Sequence, residues 1–139
     1  MHKFKRVMEI LNIEATAQTP LIHFNHHTGE MEIKGRSIPD DPETFWGNIL
    51  EWFDEYVSNA KPLTLVKIDL EYFNITSSKR ILFLLYKLND IVALGKEARV
   101  EWHYRQSDED MYEVGQDYAF MVHVPFEFKE YIDTDLSAS

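Results

Sequence analysis

Three adjacent hydroxyl side chains are followed directly by two cations in the middle of the chain: Thr76, Ser77, Ser78, Lys79 and Arg80. A serine or threonine hydroxyl can accept a phosphate from a protein kinase, which adds about −1.5 to −2 charge at neutral pH. The same kind of side chain can instead cap a helix by accepting a hydrogen bond from a free backbone N–H. The pattern alone favours capping, by Asn74, Thr76 or Ser77, but a cap accounts for one hydroxyl of the three.

These hydroxyls lie where a predicted strand ends and a predicted helix begins. Alternating residues end at about Phe73, and a helical pattern starts at about Thr76. A phosphate at this point would lie at the positive end of a helix and near Lys79 and Arg80, where added negative charge is best tolerated. The segment is therefore a candidate site of reversible phosphorylation.

Other residues that could perform chemistry have simpler explanations. His23, His26 and His27 are close in sequence, but adjacent side chains on an extended segment point in opposite directions, so we expect surface histidines beside a turn. The acidic residues 108–110 lack the EF-hand pattern, and carboxylates are ordinary in a first helical turn. No glycine belongs to a phosphate-cradling motif. We therefore expect no catalytic residue, no metal and no cofactor.

The composition excludes several classes of function. Of 139 residues 45% are hydrophobic and none is cysteine, so one folded core is expected, without thiolate metal sites or a cysteine nucleophile. With 24 acidic and 14 basic side chains the net charge is −10, which repels nucleic acid and anionic membranes. No signal peptide or transmembrane segment is visible, so we expect a soluble, cytoplasmic protein.

Strands and helices must position the hydroxyls. Alternation and turn signals predict strands near residues 11–16, 21–24, 31–34, 66–72, 99–105 and 124–128, with the last at an edge. Capping and spacing predict helices that start at Pro42 after Asp41, run over 76–94 before Gly95, and run over 108–120 after Ser107. No linker or repeat interrupts the chain, which predicts one domain over residues 1–139 with loose ends at 1–8 and 131–139.

The alternation also predicts which faces are buried. One sheet face is expected to carry Val66, Ile68, Leu70, Tyr72 and Trp102, and the other Lys67, Asp69 and Glu71. The helices are expected to bury stripes on their inner sides, which comprise Phe45, Ile49, Trp52, Phe53, Tyr56, Ile81, Leu84, Leu85, Leu88, Val92, Met111, Val114 and Tyr118. Strands covered on one face indicate an α/β fold of the α+β type, a mixed sheet with helices on one side.

Several short segments together resemble the SiaC family of bacterial regulatory phosphoproteins. They read, in chain order, IEATAQTP (13–20), TG (28–29), IKGRSIP (33–39), LEYFN (70–74), TSSK (76–79), WHY (102–104), DEDM (108–111) and VPFE (124–127). The combination is specific although no single segment is. The resemblance implies a fold related to STAS domains of anti-sigma-factor antagonists.

The resemblance also implies a non-catalytic, partner-switching role. In such systems a serine/threonine-type protein kinase phosphorylates the small domain, a phosphatase reverses this, and one form binds the target. For SiaC-like proteins the implied target is a diguanylate cyclase, activated by the unphosphorylated form, with cyclic-di-GMP signalling and biofilm behaviour as the output.

One position departs from the family pattern. The phosphoacceptor threonine of the family directly follows the asparagine, whereas Ile75 follows Asn74 in this chain. Thr76 is therefore the first predicted phosphoacceptor and Ser77 the second, and a third alternative is that none is phosphorylated. The flanking residues predicted to bind partners are Phe73, Asn74, Ile75, Ser78 and Lys79.

Two other classes of function stay open on the sequence. One is an interaction domain or homodimer that is never phosphorylated, which a stable dimer without phosphate would favour. The other is an enzyme of unrecognised class, which a bound metal or measurable turnover would favour.

Overall fold

A computed structural model describes residues 8–132 and comprises six strands and three helices in this range. In chain order they are β1 (Leu11–Ile13), β2 (Leu21–Asn25), β3 (Glu30–Ser37), α1 (Pro42–Ser58), β4 (Leu63–Phe73), α2 (Ile75–Ala93), β5 (Glu97–Arg105), α3 (Glu109–Met121) and β6 (Phe126–Tyr131). The predicted loose ends fall largely outside the described residues. Of the residues predicted to be loose, two that the structure describes have defined positions: Met8 packs against the core, and Tyr131 is the last residue of β6.

The strands form one mixed sheet in the order β1-β2-β3-β4-β5-β6. The first three strands are antiparallel, and β3 to β6 are parallel. One helix connects each pair of consecutive parallel strands, and the chain moves across the sheet in one direction from β3 to β6. Because such crossovers are right-handed, all three helices lie on the same face of the sheet. This confirms the predicted mixed sheet with helices on one side.

The helix boundaries follow from local caps. Asp41 caps α1 by accepting a hydrogen bond from Thr44 N at 3.2 Å, with proline at the first helical position. The third helix is capped by Asp108, which accepts from Met111 N at 3.0 Å, so the prediction of Ser107 as the cap is wrong. The second helix stops before Gly95, whose φ of 84° suits a residue without a Cβ.

One apolar core lies between the sheet and the helices. Its buried members include the predicted Val66, Ile68, Leu70, Ile81, Leu84, Leu85, Leu88 and Trp102. On α1 the prediction missed Trp46, which is fully buried, while Phe45 and Trp52 are only half-buried. On α2 Val92 is exposed, and on α3 Gly115 rather than Val114 is buried.

The prediction that Tyr72 points into the core is wrong. Gly35 of β3 pairs with Leu70 of β4, but the next residue, Arg36, pairs with Tyr72, so Glu71 is an extra residue in β4. This β-bulge interrupts the alternation and leaves both Glu71 and Tyr72 exposed. Beyond the bulge, the following residue of β4 turns inward again.

None of the helices within residues 8–132 is long and apolar enough to cross a membrane.

Candidate functional site

The junction between β4 and α2 is fixed by Asn74. Its backbone N–H donates to the carbonyl oxygen of Ser37 at 3.1 Å, which ties the junction to the end of β3. Its side-chain Oδ1 accepts a hydrogen bond from Ser77 N at 2.9 Å. Asn74 is therefore the helix cap, so none of the three hydroxyls is needed for capping.

Ser77 is fully buried beneath the junction. Its hydroxyl donates to the carbonyl oxygen of Ser37 at 3.0 Å and accepts from the Ser37 hydroxyl at 2.7 Å. The indole N–H of Trp46 donates to the same Ser37 hydroxyl at 3.2 Å. The prediction of Ser77 as a second phosphoacceptor does not fit this burial, because a kinase cannot reach the hydroxyl while the network is intact.

Ser78 connects α2 to α3. Its hydroxyl lies 2.7 Å from the hydroxyl of Tyr118, which also donates to the Ser78 carbonyl oxygen at 3.0 Å. Burial raises the pKa of Tyr118, so this phenol stays protonated as a donor. Ser78 is half-buried, and these contacts give it a structural role.

Phe73 is also half-buried and turned toward the core. Its ring meets Trp102 edge-on, with centroids 6.4 Å apart and planes at 87°. Of the five residues predicted to bind partners, Phe73, Asn74 and Ser78 are thus held by contacts within the fold. Only Ile75 and Lys79 are exposed.

Thr76 differs from its two neighbours because it is exposed and its hydroxyl has no hydrogen-bond partner among the described residues. The guanidinium of Arg80 donates to the Thr76 carbonyl oxygen at 3.4 Å, which keeps a cation beside the first turn. This turn contains no acidic residue. A phosphate on Thr76 would therefore meet the helix N-terminus and Arg80 without a nearby carboxylate on the same turn.

An exposed stripe starts beside Thr76 and runs along α2. It consists of Ile75, Lys79, Phe83 and Tyr86, which we call the α2 stripe, and their spacing places them on one side of the helix. Ile75 is 81% exposed, Phe83 52% and Tyr86 40%. Exposed apolar groups that adjoin one another are typical of protein-interaction surfaces. The sequence analysis missed Phe83 and Tyr86, although both aromatics fall outside the predicted buried stripe.

The histidines lie beside the β2–β3 turn, as predicted. His26 and His27 are in the turn itself, and their side chains do not point in opposite directions, because the two rings stack with centroids 4.1 Å apart. His23 is separate and lies 3.4 Å from Asn12 Oδ1. Across residues 8–132 no group of three or more histidine, aspartate or glutamate side chains is arranged to hold a metal ion.

A mixed six-stranded sheet with three helices on one face defines a two-layer α/β domain, and the first turn of its middle helix carries an exposed threonine. The chain belongs to the SiaC family of regulatory phosphoproteins, whose family model matches residues 13–131.

One similar protein sequence and two similar structures of SiaC come from Pseudomonas aeruginosa. An uncharacterised protein of strain UCBPP-PA14 is 24% identical over 119 residues, which cover 86% of this chain and 94% of that protein. A structure of SiaC has a TM-score of 0.82 at 22% identity and covers 89% of this chain and 100% of its own. A crystal structure of the diguanylate cyclase SiaD in complex with its activator SiaC also matches, with a TM-score of 0.82 at 22% identity. The match covers 87% of this chain and 99% of the matched chain.

Proposed function

We propose that this protein is a non-catalytic switch whose α2 stripe binds a target protein and whose binding is controlled by phosphorylation of Thr76. A serine/threonine-type kinase adds the phosphate and a phosphatase removes it. The target class is a diguanylate cyclase, because the similar SiaC is found in complex with the cyclase SiaD. Membership of a family of regulatory phosphoproteins supports the same role.

The observation that carries the proposal is the position of Thr76 between a rigid cap and an exposed apolar stripe. Asn74 and buried Ser77 hold the helix start in place. The Thr76 hydroxyl is left exposed beside Ile75, which is 81% exposed. A modification at this hydroxyl therefore changes a binding surface without breaking a contact of the fold.

The switch would be electrostatic. The fold tolerates the phosphate because the helix N-terminus and Arg80 favour negative charge there, by about 0.3–1 kcal/mol for the helix dipole. A bound partner would remove water from the same charge, and an unpaired buried charge costs several kcal/mol. The phosphorylated form thus stays folded and loses its target.

Binding to the diguanylate cyclase of the same organism tests the proposed surface. Phe83→Ser removes an aromatic side chain from the middle of the α2 stripe, and we expect it to weaken binding by about tenfold or more. Phe120→Ser is the matched control, because Phe120 is 88% exposed but lies on α3. Isothermal titration calorimetry measures both variants. Unchanged affinity of Phe83→Ser, or an equal loss in both variants, would contradict the assignment of the surface.

A further inference from the structure

The face of the sheet without helices contains a cavity of about 570 Å³ at the carboxyl ends of the parallel strands. This volume lies within the range of about 300–1,000 Å³ that is typical of small-molecule sites. The cavity is lined by side chains from β3, β4, β5 and β6 and by the β1–β2 loop. It lies on the opposite side of the sheet from the α2 stripe, so it is separate from the proposed switch surface.

The β-bulge borders the cavity. Glu71 lies on the open face as the alternation of β4 requires, and the register shift turns the following Tyr72 to the same face instead of the core. Arg36 packs over the ring of Tyr72, with its guanidinium carbon 5.7 Å from the ring centroid. Gly35 has a φ of 123°, which L side chains rarely adopt, and a Cβ there would be in ordinary contact with the Cα of Pro20 at the end of the β1–β2 loop, 3.5 Å away. Bulges commonly redirect side chains beside binding sites.

The two carboxylates of the cavity already have partners. Asp69 accepts a hydrogen bond from the hydroxyl of Tyr131 at 3.2 Å. Glu71 pairs with the guanidinium of Arg105 at 3.1 Å. Burial and the charge of Asp69 raise the pKa of Tyr131, so its hydroxyl stays protonated as the donor. Because both carboxylates already have partners, the cavity is not suited to binding a cation.

Two cations of the cavity have no such partner. Lys34 and Arg36 are both exposed on the open face and form no ion pair with any residue in the described range of 8–132. Lys34 of β3 pairs with Asp69 of β4 in the sheet register, and Arg36 lies two residues further along β3. A local excess of positive charge in a protein of net charge −10 indicates a recognition site for an anion.

We propose that this cavity binds a small polar molecule through a phosphate or carboxylate group held by Lys34 and Arg36. The guanidinium supplies a planar pair of donors for an oxyanion, and the ammonium adds a second charge. The remaining acceptor capacity of Asp69 and Glu71 suits neutral hydroxyl groups on the body of the same molecule. The site is therefore suited to a small phosphate ester or a hydroxy acid.

Nuclear magnetic resonance titration of the full chain tests this site, with inorganic phosphate and citrate as separate probes at constant ionic strength. We expect saturable shifts of backbone amides confined to the cavity strands for at least one probe. Saturation by phosphate alone would assign a phosphate ester, and saturation by citrate alone a carboxylate. A response to neither probe, or one spread evenly over the surface, would overturn the proposal.

Three variants separate a built site from general attraction. Lys34→Gln and Arg36→Gln should each lower the affinity for the probe by about tenfold, because one hydrogen bond to a charged group contributes at this level. Lys67→Gln removes the same charge from the same sheet face, where Lys67 pairs with Glu30 outside the cavity, and should leave affinity unchanged. Equal weakening by all three variants would overturn the proposal.

Discussion

Thr76, Ser77 and Ser78 are adjacent in the chain but occupy three different environments. Successive helix residues are rotated by about 100°, so three neighbours cannot share one side of α2. Ser77 faces the core, Ser78 faces α3 and Thr76 faces solvent. The sequence identified the cluster and its place at a helix start. It could not distinguish the three hydroxyls, because the rotation of α2 is set by packing on distant strands.

An aspartate at each of two neighbouring hydroxyls should therefore affect stability very differently. Thr76→Asp should leave the free energy of unfolding within about 1 kcal/mol of the wild type, because negative charge at an exposed helix start is mildly favourable. Ser77→Asp should lower it by about 3 kcal/mol or more, because it places an unpaired charge in the buried Ser37 network. Urea denaturation measures both. Similar losses in the two variants would show that the junction is not arranged as described.

His26 should make stability depend on pH. Burial lowers the pKa of His26 below its ordinary value, and the charges of His27 and Lys61 lower it further. Its Nδ1 is buried and has no hydrogen-bond partner within residues 8–132. The unfolded chain therefore takes up a proton at a higher pH than the folded protein, so stability is lost as the pH falls below about 6.5.

The variant His26→Gln isolates this contribution. Between about pH 8 and pH 5.5 the urea midpoint of the wild type should fall more than that of the variant. An equal fall in both proteins would show that other groups cause the pH dependence.

At the scale of elements, α3 depends on a glycine for its approach to the sheet. A Cβ on Gly115 would lie 2.5 Å from Nε1 of Trp102, the same atom that donates to the Met111 carbonyl oxygen at 3.0 Å. Periodicity predicted the helix and its buried Met111 and Tyr118. The close approach was not predictable from the sequence, because it depends on an indole contributed by β5.

Two glycine substitutions test this packing. Gly115→Ala should destabilise the protein by about 1–3 kcal/mol through overpacking, although alanine favours helices. Gly47→Ala on α1 has nothing within 4 Å of the new Cβ and should stabilise by about 0.5–1 kcal/mol. Thermal or urea denaturation gives both values. Stabilisation by Gly115→Ala would mean that α3 lies farther from Trp102.

The strand β4 shows where alternation succeeds and where it fails. Val66, Ile68 and Leu70 are buried as predicted. Tyr72 is not, because the bulge shifts the register between Gly35 and Arg36. A bulge is a relation between two strands that are distant in sequence, so the residues of β4 alone do not reveal it.

At the scale of the whole molecule, a two-layer fold provides two surfaces of different chemistry. The helical side carries the apolar α2 stripe beside Thr76 and suits a protein partner. The open side of the sheet carries charged side chains around a cavity and suits a small anion. The segment between the bulge and the helix cap, residues 71–74, connects the two surfaces.

The central claim is that charge at Thr76 decides whether the target binds, and the most direct test is the affinity of the cyclase for Thr76→Asp. Thr76→Asn is the matched control, because it is polar and similar in size but uncharged. Phosphopeptide mass spectrometry after treatment with the cognate kinase identifies the modified hydroxyl in parallel. We predict phosphate on Thr76, at least a tenfold loss of affinity for Thr76→Asp, and little loss for Thr76→Asn. Unchanged affinity of Thr76→Asp, or phosphate found only on residues other than Thr76, would contradict the account.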